Sequence, residues 1–258
     1  MQGTKKTFVV AVVLLVLVVP ATVILTSARN YQSPKKPDDA TPIQEGVLTE
    51  KQKAHSRLFK KYDGVTRGRK LRDLVAQSGD VEVVKGLPTA LVPESFTLEG
   101  YLKDLTCKAD AVVVATIQSK SSQIIEEGTF IFTDYEARVD EILKSHSAQI
   151  NPTQSITVTR VGGAVILNGH HVRATDHRQE VLEVGTQYLL YLRLIPTTNS
   201  FRAFAGSSSE DTFQIFGSKI RQTSDKALPL ARRSEDLNTF MVLARTATQN
   251  PAATQPTF

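Results

Sequence analysis

GHHVRATDHRQE, residues 169–180, holds the densest group of metal-ligating side chains in the sequence. His170, His171, Asp176 and His177 offer imidazole and carboxylate, a donor set that suits zinc, copper or nickel. Two adjacent histidines on a strand point to opposite faces, which opposes simple chelation. The His-Glu-x-x-His pattern of zinc hydrolases is missing. The expected reading is a surface hairpin that carries histidines, with no bound metal and no cofactor. Ser207, Ser208 and Ser209 stand beside Glu210 and Asp211, but no Gly-x-Ser-x-Gly turn and no partner base accompany them. A polar loop is expected there. Glu126 with Glu127, and Glu136 with Asp140, are paired carboxylates in sequence alone.

The single cysteine, Cys107, excludes an internal disulfide framework and a cysteine-based zinc site. A small buried apolar residue is expected at this position. No phosphate-binding glycine loop or dinucleotide fingerprint occurs. No catalytic site is expected.

The other distinctive chemistry is charge. The 258-residue chain carries a net charge of +5. Residues 50–72 alone hold nine Lys/Arg against Glu50 and Asp63, a local balance of +7, so the rest is slightly acidic. Thr49-Glu50-Lys51-Gln52 matches a capping box and predicts a helix that ends by Gly64, with Ala54, Leu58 and Tyr62 as its buried stripe. A second helix is expected from Thr66 to Gly79, burying Leu71, Leu74 and Val75. The remaining faces offer Lys51, Arg57, Lys60, Lys61, Arg67, Arg69 and Lys70 as a surface for anionic lipid or an acidic partner. The plainer reading of such a run is a solvated helix face. A nucleic-acid partner is not expected, because no recognition motif is present.

Upstream, Phe8–Leu25 is an eighteen-residue run without a charge, preceded by Lys5 and Lys6. That length suits a membrane-spanning helix. A cleaved signal peptide and a buried core helix are the alternatives. The expected arrangement is a single-pass signal anchor with an extracytoplasmic body, in the periplasm or at the cell surface. Pro34, Pro37 and Pro42 mark the following stretch as a linker.

Residues 107–217 read as strands. Ala111–Ile117 is apolar on nearly every position and suits a strand buried on both faces. Tyr135, Ala137 and Val139 alternate with charged residues, and the alternation slips at Ile142–Leu143, which predicts a bulge or a short helical turn near Asp140–Glu141. Ser119–Gly128 is expected to be a polar loop between these two strands. Ser155–Val161, Ala164–Leu167, His170–Arg173, Gln187–Leu194, Phe201–Ala205 and Thr212–Phe216 follow, separated by turn signals at Gly162-Gly163 and Asn168-Gly169. Leu98, Tyr101, Leu102 and Leu105 form the stripe of a preceding helix. Leu237, Phe240, Met241 and Ala244 do the same in a C-terminal one that starts at Ser234.

The succession ADAVVVATI, TDYEARVDEILK, SITVTRVGG and YLLYL resembles a group of uncharacterised exported bacterial proteins with an OB-like barrel. That barrel is similar in strand order to netrin-like modules and to the inhibitory domain of tissue metalloproteinase inhibitors. The resemblance implies a fold and carries no site residue, because those inhibitors use an N-terminal cysteine and disulfides, whereas Cys107 is single and internal.

The expected fold is therefore α+β: a transmembrane helix, then a small OB-like antiparallel β-barrel of six to seven strands flanked by amphipathic helices. The divisions are an anchor at 1–29, a linker at 30–48, a basic helical segment at 49–106, the barrel at 107–217, a helical extension at 218–246 and a disordered tail at 247–258. The expected function is a membrane-anchored extracytoplasmic binding or interaction module for a protein, peptide or glycan. A structural or assembly protein docking through residues 50–72, and a metal-dependent enzyme using His170–His177, are the alternatives.

Overall fold

In the computed structural model the described residues are 41–42, 48–85, 97–145, 150–176, 179, 181–203, 212–223 and 235–250. The apolar run at 8–25, His177 and the serines at 207–209 lie outside them. Among the described residues no helix is long and apolar enough to cross a membrane.

The chain order is β1 (Thr41–Pro42), α1 (Glu50–Leu58), a 3-10 helix (Lys60–Thr66), α2 (Leu71–Ser78), β2 (Val81–Lys85) and α3 (Leu98–Lys108). Next come β3 (Ala111–Ile124), β4 (Ile131–Ser145), β5 (Ser155–Val161), β6 (Gly163–Leu167) and β7 (His170–Asp176). β8 (Gln187–Ile195), β9 (Ser200–Ala203), β10 (Thr212–Phe216), β11 (Lys219–Gln222), β12 (Glu235–Asp236) and α4 (Leu237–Gln249) complete it.

The α+β class holds, but the strands make two mixed sheets rather than one closed antiparallel barrel. The larger sheet has eight strands in the order β12-β11-β10-β8-β3-β4-β5-β9, and the smaller has four in the order β1-β6-β7-β2. Three pairings are parallel: β1 with β6, β2 with β7, and β5 with β9. Within the larger sheet β9 also pairs with β8. Five strands (β3, β4, β5, β9 and β8) thus follow one another in hydrogen-bonded order and return to β3, while β10 to β12 run on from β8 as a flank.

The departure from the expected barrel begins at Gly162-Gly163. The pair does not close a hairpin between β5 and β6; it carries the chain out of the first sheet into the second. Gly163 has φ 137°, and a Cβ there would sit 2.2 Å from Thr133 Oγ1 and 2.7 Å from Ser122 Oγ. Only glycine permits so close a crossing. The next turn is as expected: Asn168 (φ 52°) and Gly169 (φ 79°) close the β6–β7 hairpin.

β3 and β4 organise the rest. β3 runs on to Ile124, through most of the expected loop. Ala111, Val113, Ala115 and Ile117 face the core enclosed by the five-strand circuit, with Tyr135, Ala137, Val139, Val158, Leu190 and Phe201. Val112 and Val114 face the opposite way, against Tyr101, Leu102 and Leu105 of α3 and Phe240, Met241 and Ala244 of α4. A strand sandwiched between two cores has no wet face, which is why Ala111–Ile117 lacks alternation. The pairing of β3 with β4 slips between Val112 and Val113 and again between Val114 and Ala115, where Leu143 and Asp140 are skipped. The bulge expected from the broken alternation is present, and is doubled.

A third core joins Phe59, Tyr62, Leu71 and Val75 from the helical segment to Phe130 of the β3–β4 turn, to Ile131 and Phe132 at the start of β4, and to Val165 and Val172 of the small sheet. The basic segment is thereby fixed to the strands.

Candidate interaction site

The capping box reading holds. Thr49 Oγ1 accepts from the Gln52 amide and Gln52 Oε1 accepts from the Thr49 amide. The helix it starts is shorter than expected, ending at Leu58, and its docked face is different. Ala54 and Leu58 are half-buried, whereas His55 and Ser56 are the residues α1 buries.

Four elements converge on these two side chains. His55 Nδ1 lies 2.9 and 3.1 Å from the two oxygens of Asp134 on β4. Its Nε2 lies 2.7 Å from Ser200 Oγ on β9 and 3.1 Å from Thr198 Oγ1 in the β8–β9 turn. A carboxylate only accepts, so Nδ1 carries the ring proton toward Asp134. Ser56 Oγ accepts from the Glu126 amide at 2.8 Å, in the β3–β4 turn. One helical turn earlier, Lys51 Nζ donates to Thr157 Oγ1 on β5 at 2.8 Å, and Thr157 donates on to Glu136 at 2.7 Å. α1 therefore lies across β4 and β5 and reaches the turns at both sides.

Asp134, His55 and Ser200 have the connectivity of a Ser-His-Asp triad. Acyl transfer also needs a reacting carbon about 3 Å from the nucleophile and donors for the developing oxyanion. Ser200 is 0% exposed and Thr198 Oγ1 lies 2.6 Å from its oxygen. No substrate carbon reaches it in this conformation. The cluster is a clasp that holds a helix to a sheet through matched polar groups.

Further along β4, Asp140 accepts from Thr116 at 2.6 Å, Gln187 at 2.9 Å and Arg138 at 3.1 Å. Partial burial pushes its carboxyl up, but these three hydrogen bonds outweigh that and hold it below the usual carboxylate range. Glu136 and Asp140, paired in sequence, are thus committed to separate neighbours.

The described members of the histidine-rich run do not come together. His170 and His171 are exposed at one end of β7, beside Asp80. Asp176 is buried at the other end, roughly 20 Å away along the strand, where it accepts from the Tyr62 hydroxyl at 2.6 Å. Among the described residues no three His, Cys, Asp or Glu side chains form a metal-binding group. Cys107 is half-buried on α3 rather than fully enclosed.

The expected basic surface is present as an exposed one, but its members differ. Lys51 is tied to Thr157, and Arg57 sits 3.6 Å from Glu126. Lys60, Lys61, Arg67, Arg69 and Lys70 are exposed. Lys60, Arg67, Arg69 and Lys70 make no hydrogen bond or ion pair among the described residues, and Lys61 lies 5.6 Å from the Tyr62 ring. Asp63, the one acid between them, accepts from Thr129.

Local geometry explains the exposure. With three residues per turn, the 3-10 helix puts Tyr62 and Val65 on the packed side and Lys61 and Gly64 on the open side. Arg67 (φ 56°) and Gly68 (φ 76°) are consecutive left-handed residues that reverse the chain. This delays α2 to Leu71 and leaves residues 67–70 all exposed. Leu71 then inserts fully into the core, and its amide donates to Gly128 O at 2.8 Å.

Comparison of the sequence with known protein families finds no match, and comparison with curated proteins finds none either.

Proposed function

We propose that the protein is a membrane-anchored extracytoplasmic interaction module, built on a five-strand circuit of OB-like order and making its contacts from the basic turn at residues 60–70. The observation that carries this reading is the eighteen-residue uncharged run at 8–25, which ends fifteen residues before the body's first strand at Thr41.

The strand order supports the OB-like assignment. Counted along the chain, β3, β4, β5, β8 and β9 are the first to fifth strands, and they neighbour one another in the order first, second, third, fifth, fourth. An OB-fold is a partly open five-stranded Greek-key barrel that binds ligands on the face of its second and third strands and on two flanking loops. In this chain those parts are β4, β5, the β3–β4 turn and the β8–β9 turn. α1 touches all four, through Asp134, Thr157, Glu126 and Thr198. The face an OB-like module would offer to a ligand is occupied by the chain's own helix, so the contact surface shifts to the open turn beside it.

The test is fractionation of the full chain carrying a C-terminal alkaline phosphatase, an enzyme active only outside the cytoplasm. The expected result is phosphatase activity that stays in the membrane pellet after carbonate washing, and release when residues 8–25 are deleted. An inactive fusion, or a full chain recovered in the soluble fraction, overturns the reading.

A further inference from the structure

We infer that the turn formed by Lys60, Lys61, Arg67, Arg69 and Lys70 is a docking surface for anionic lipid headgroups on the membrane that anchors the chain. The inference rests on the anchored reading above and names the partner of its basic turn.

Three observations converge on it. The first is charge without compensation. Residues 60–70 hold five cations and a single acid, and Asp63 is already engaged by Thr129. Among the described residues no acid pairs with these cations: Glu126 lies against Arg57, and Glu50 is paired with Lys53. The second is rigidity. Phe59, Tyr62 and Leu71 are buried on either side of the turn and the Leu71 amide is pinned to Gly128 O. The cations are therefore displayed from a fixed frame, so docking does not first have to order a loose segment. The third is backbone conformation. Arg67 sits at φ 56°, a left-handed position that glycine takes at less cost. A charged side chain kept where glycine would relieve strain points to a role for that side chain.

Reach favours a bilayer over an acidic protein. Fifteen residues separate Leu25 from Thr41. Whatever their conformation, fifteen residues span at most roughly 50 Å. A body leashed so short meets the bilayer surface continually, at an effective concentration that a freely diffusing partner does not match. The attraction is electrostatic and acts within a Debye length of about 8–10 Å.

The experiment uses the full chain reconstituted into vesicles of phosphatidylcholine, with or without 30 mol% phosphatidylglycerol. Exposed amines are acetylated with a membrane-impermeant reagent and read by mass spectrometry. The expected result is at least fivefold slower labelling of Lys60, Lys61 and Lys70 in the anionic vesicles, with exposed Lys219 unchanged as internal reference. Half-molar salt removes the protection, and the combined Arg67→Gln, Arg69→Gln variant loses it at Lys70 while keeping its unfolding midpoint. Equal labelling in both vesicles overturns the inference. So does protection that appears only in native membranes, which assigns the turn to a protein partner. A chain that leaves the vesicles on carbonate washing fails the anchored reading instead, so the two failures are told apart.

Discussion

Residues 51–58 and 60–70 are neighbours in sequence and alike in composition, yet their charges have opposite fates. In α1 the groups that dock are polar, while Glu50 and Arg57 stay at the surface. His55 is matched by Asp134 and Ser200, Ser56 by Glu126, and Lys51 by Thr157. In the next stretch the cations face outward, and Lys60, Arg67, Arg69 and Lys70 make no hydrogen bond or ion pair among the described residues. The difference lies in what fills the core. α1 has no apolar stripe strong enough to bury, so it docks through hydrogen bonds. The 3-10 helix and α2 have Tyr62, Leu71 and Val75 to insert, and those aromatic and aliphatic groups leave the basic side chains to solvent. Polar residues in one segment hold the fold together, while the same kinds of residue a few positions on are left to solvent.

The sharpest way to break this comparison is His55→Ala. It leaves Asp134, Thr198 and Ser200 without their shared partner and opens a void, so a loss of about 3 kcal/mol is expected in urea unfolding. A loss under about 1 kcal/mol would show that the clasp is incidental. Tyr62→Phe tests the junction between the two regions. It removes only the hydroxyl given to buried Asp176, with an expected cost of about 1.5 kcal/mol.

Asp140→Asn separates the sheet's own polar face from the clasp. Because its folded carboxyl titrates below the ordinary range, Asp140 stabilises the protein above about pH 4 and loses that contribution as pH falls through its depressed value. The stability gap between wild type and Asp140→Asn should close on acidification below pH 4. A gap independent of pH rules out the carboxylate as its source. The smallest effect is expected in the basic turn: Arg67→Gly should leave stability unchanged or raise it by up to about 1 kcal/mol. A substantial loss would place Arg67 among the structural residues and remove the contrast.

How much of this was legible follows from which periodicities the packing preserves. The α3 stripe, the Asn168-Gly169 hairpin and the β4 bulge are local signals, and each survives into the fold. The α1 face escapes periodicity, which registers apolar residues, because the face that docks is His55 and Ser56. The two-sheet arrangement was hidden in Gly162-Gly163. A glycine pair signals a turn, but whether the chain pairs back or crosses to another sheet depends on Thr133 and Ser122, far away in sequence. β2, β11 and β12 are short strands defined by their partners, so the residues themselves carry little sign of them. The His55 cluster joins positions 55, 134, 198 and 200, which no spacing rule connects. A lone histidine in an otherwise solvated helix was the one available hint.

That separation along the chain has a kinetic consequence. The β3–β4 hairpin joins residues close in sequence and can form early, whereas His55 and Ser200 are 145 positions apart. Contacts of such long range form late. In a chain emerging N-terminus first, α1 is made long before its seat exists, and it waits undocked until β9 has been synthesised. The newborn protein therefore passes through an interval in which its basic helix is loose and its β4–β5 face is bare, and the helix can dock fully only once β9 has joined the sheet.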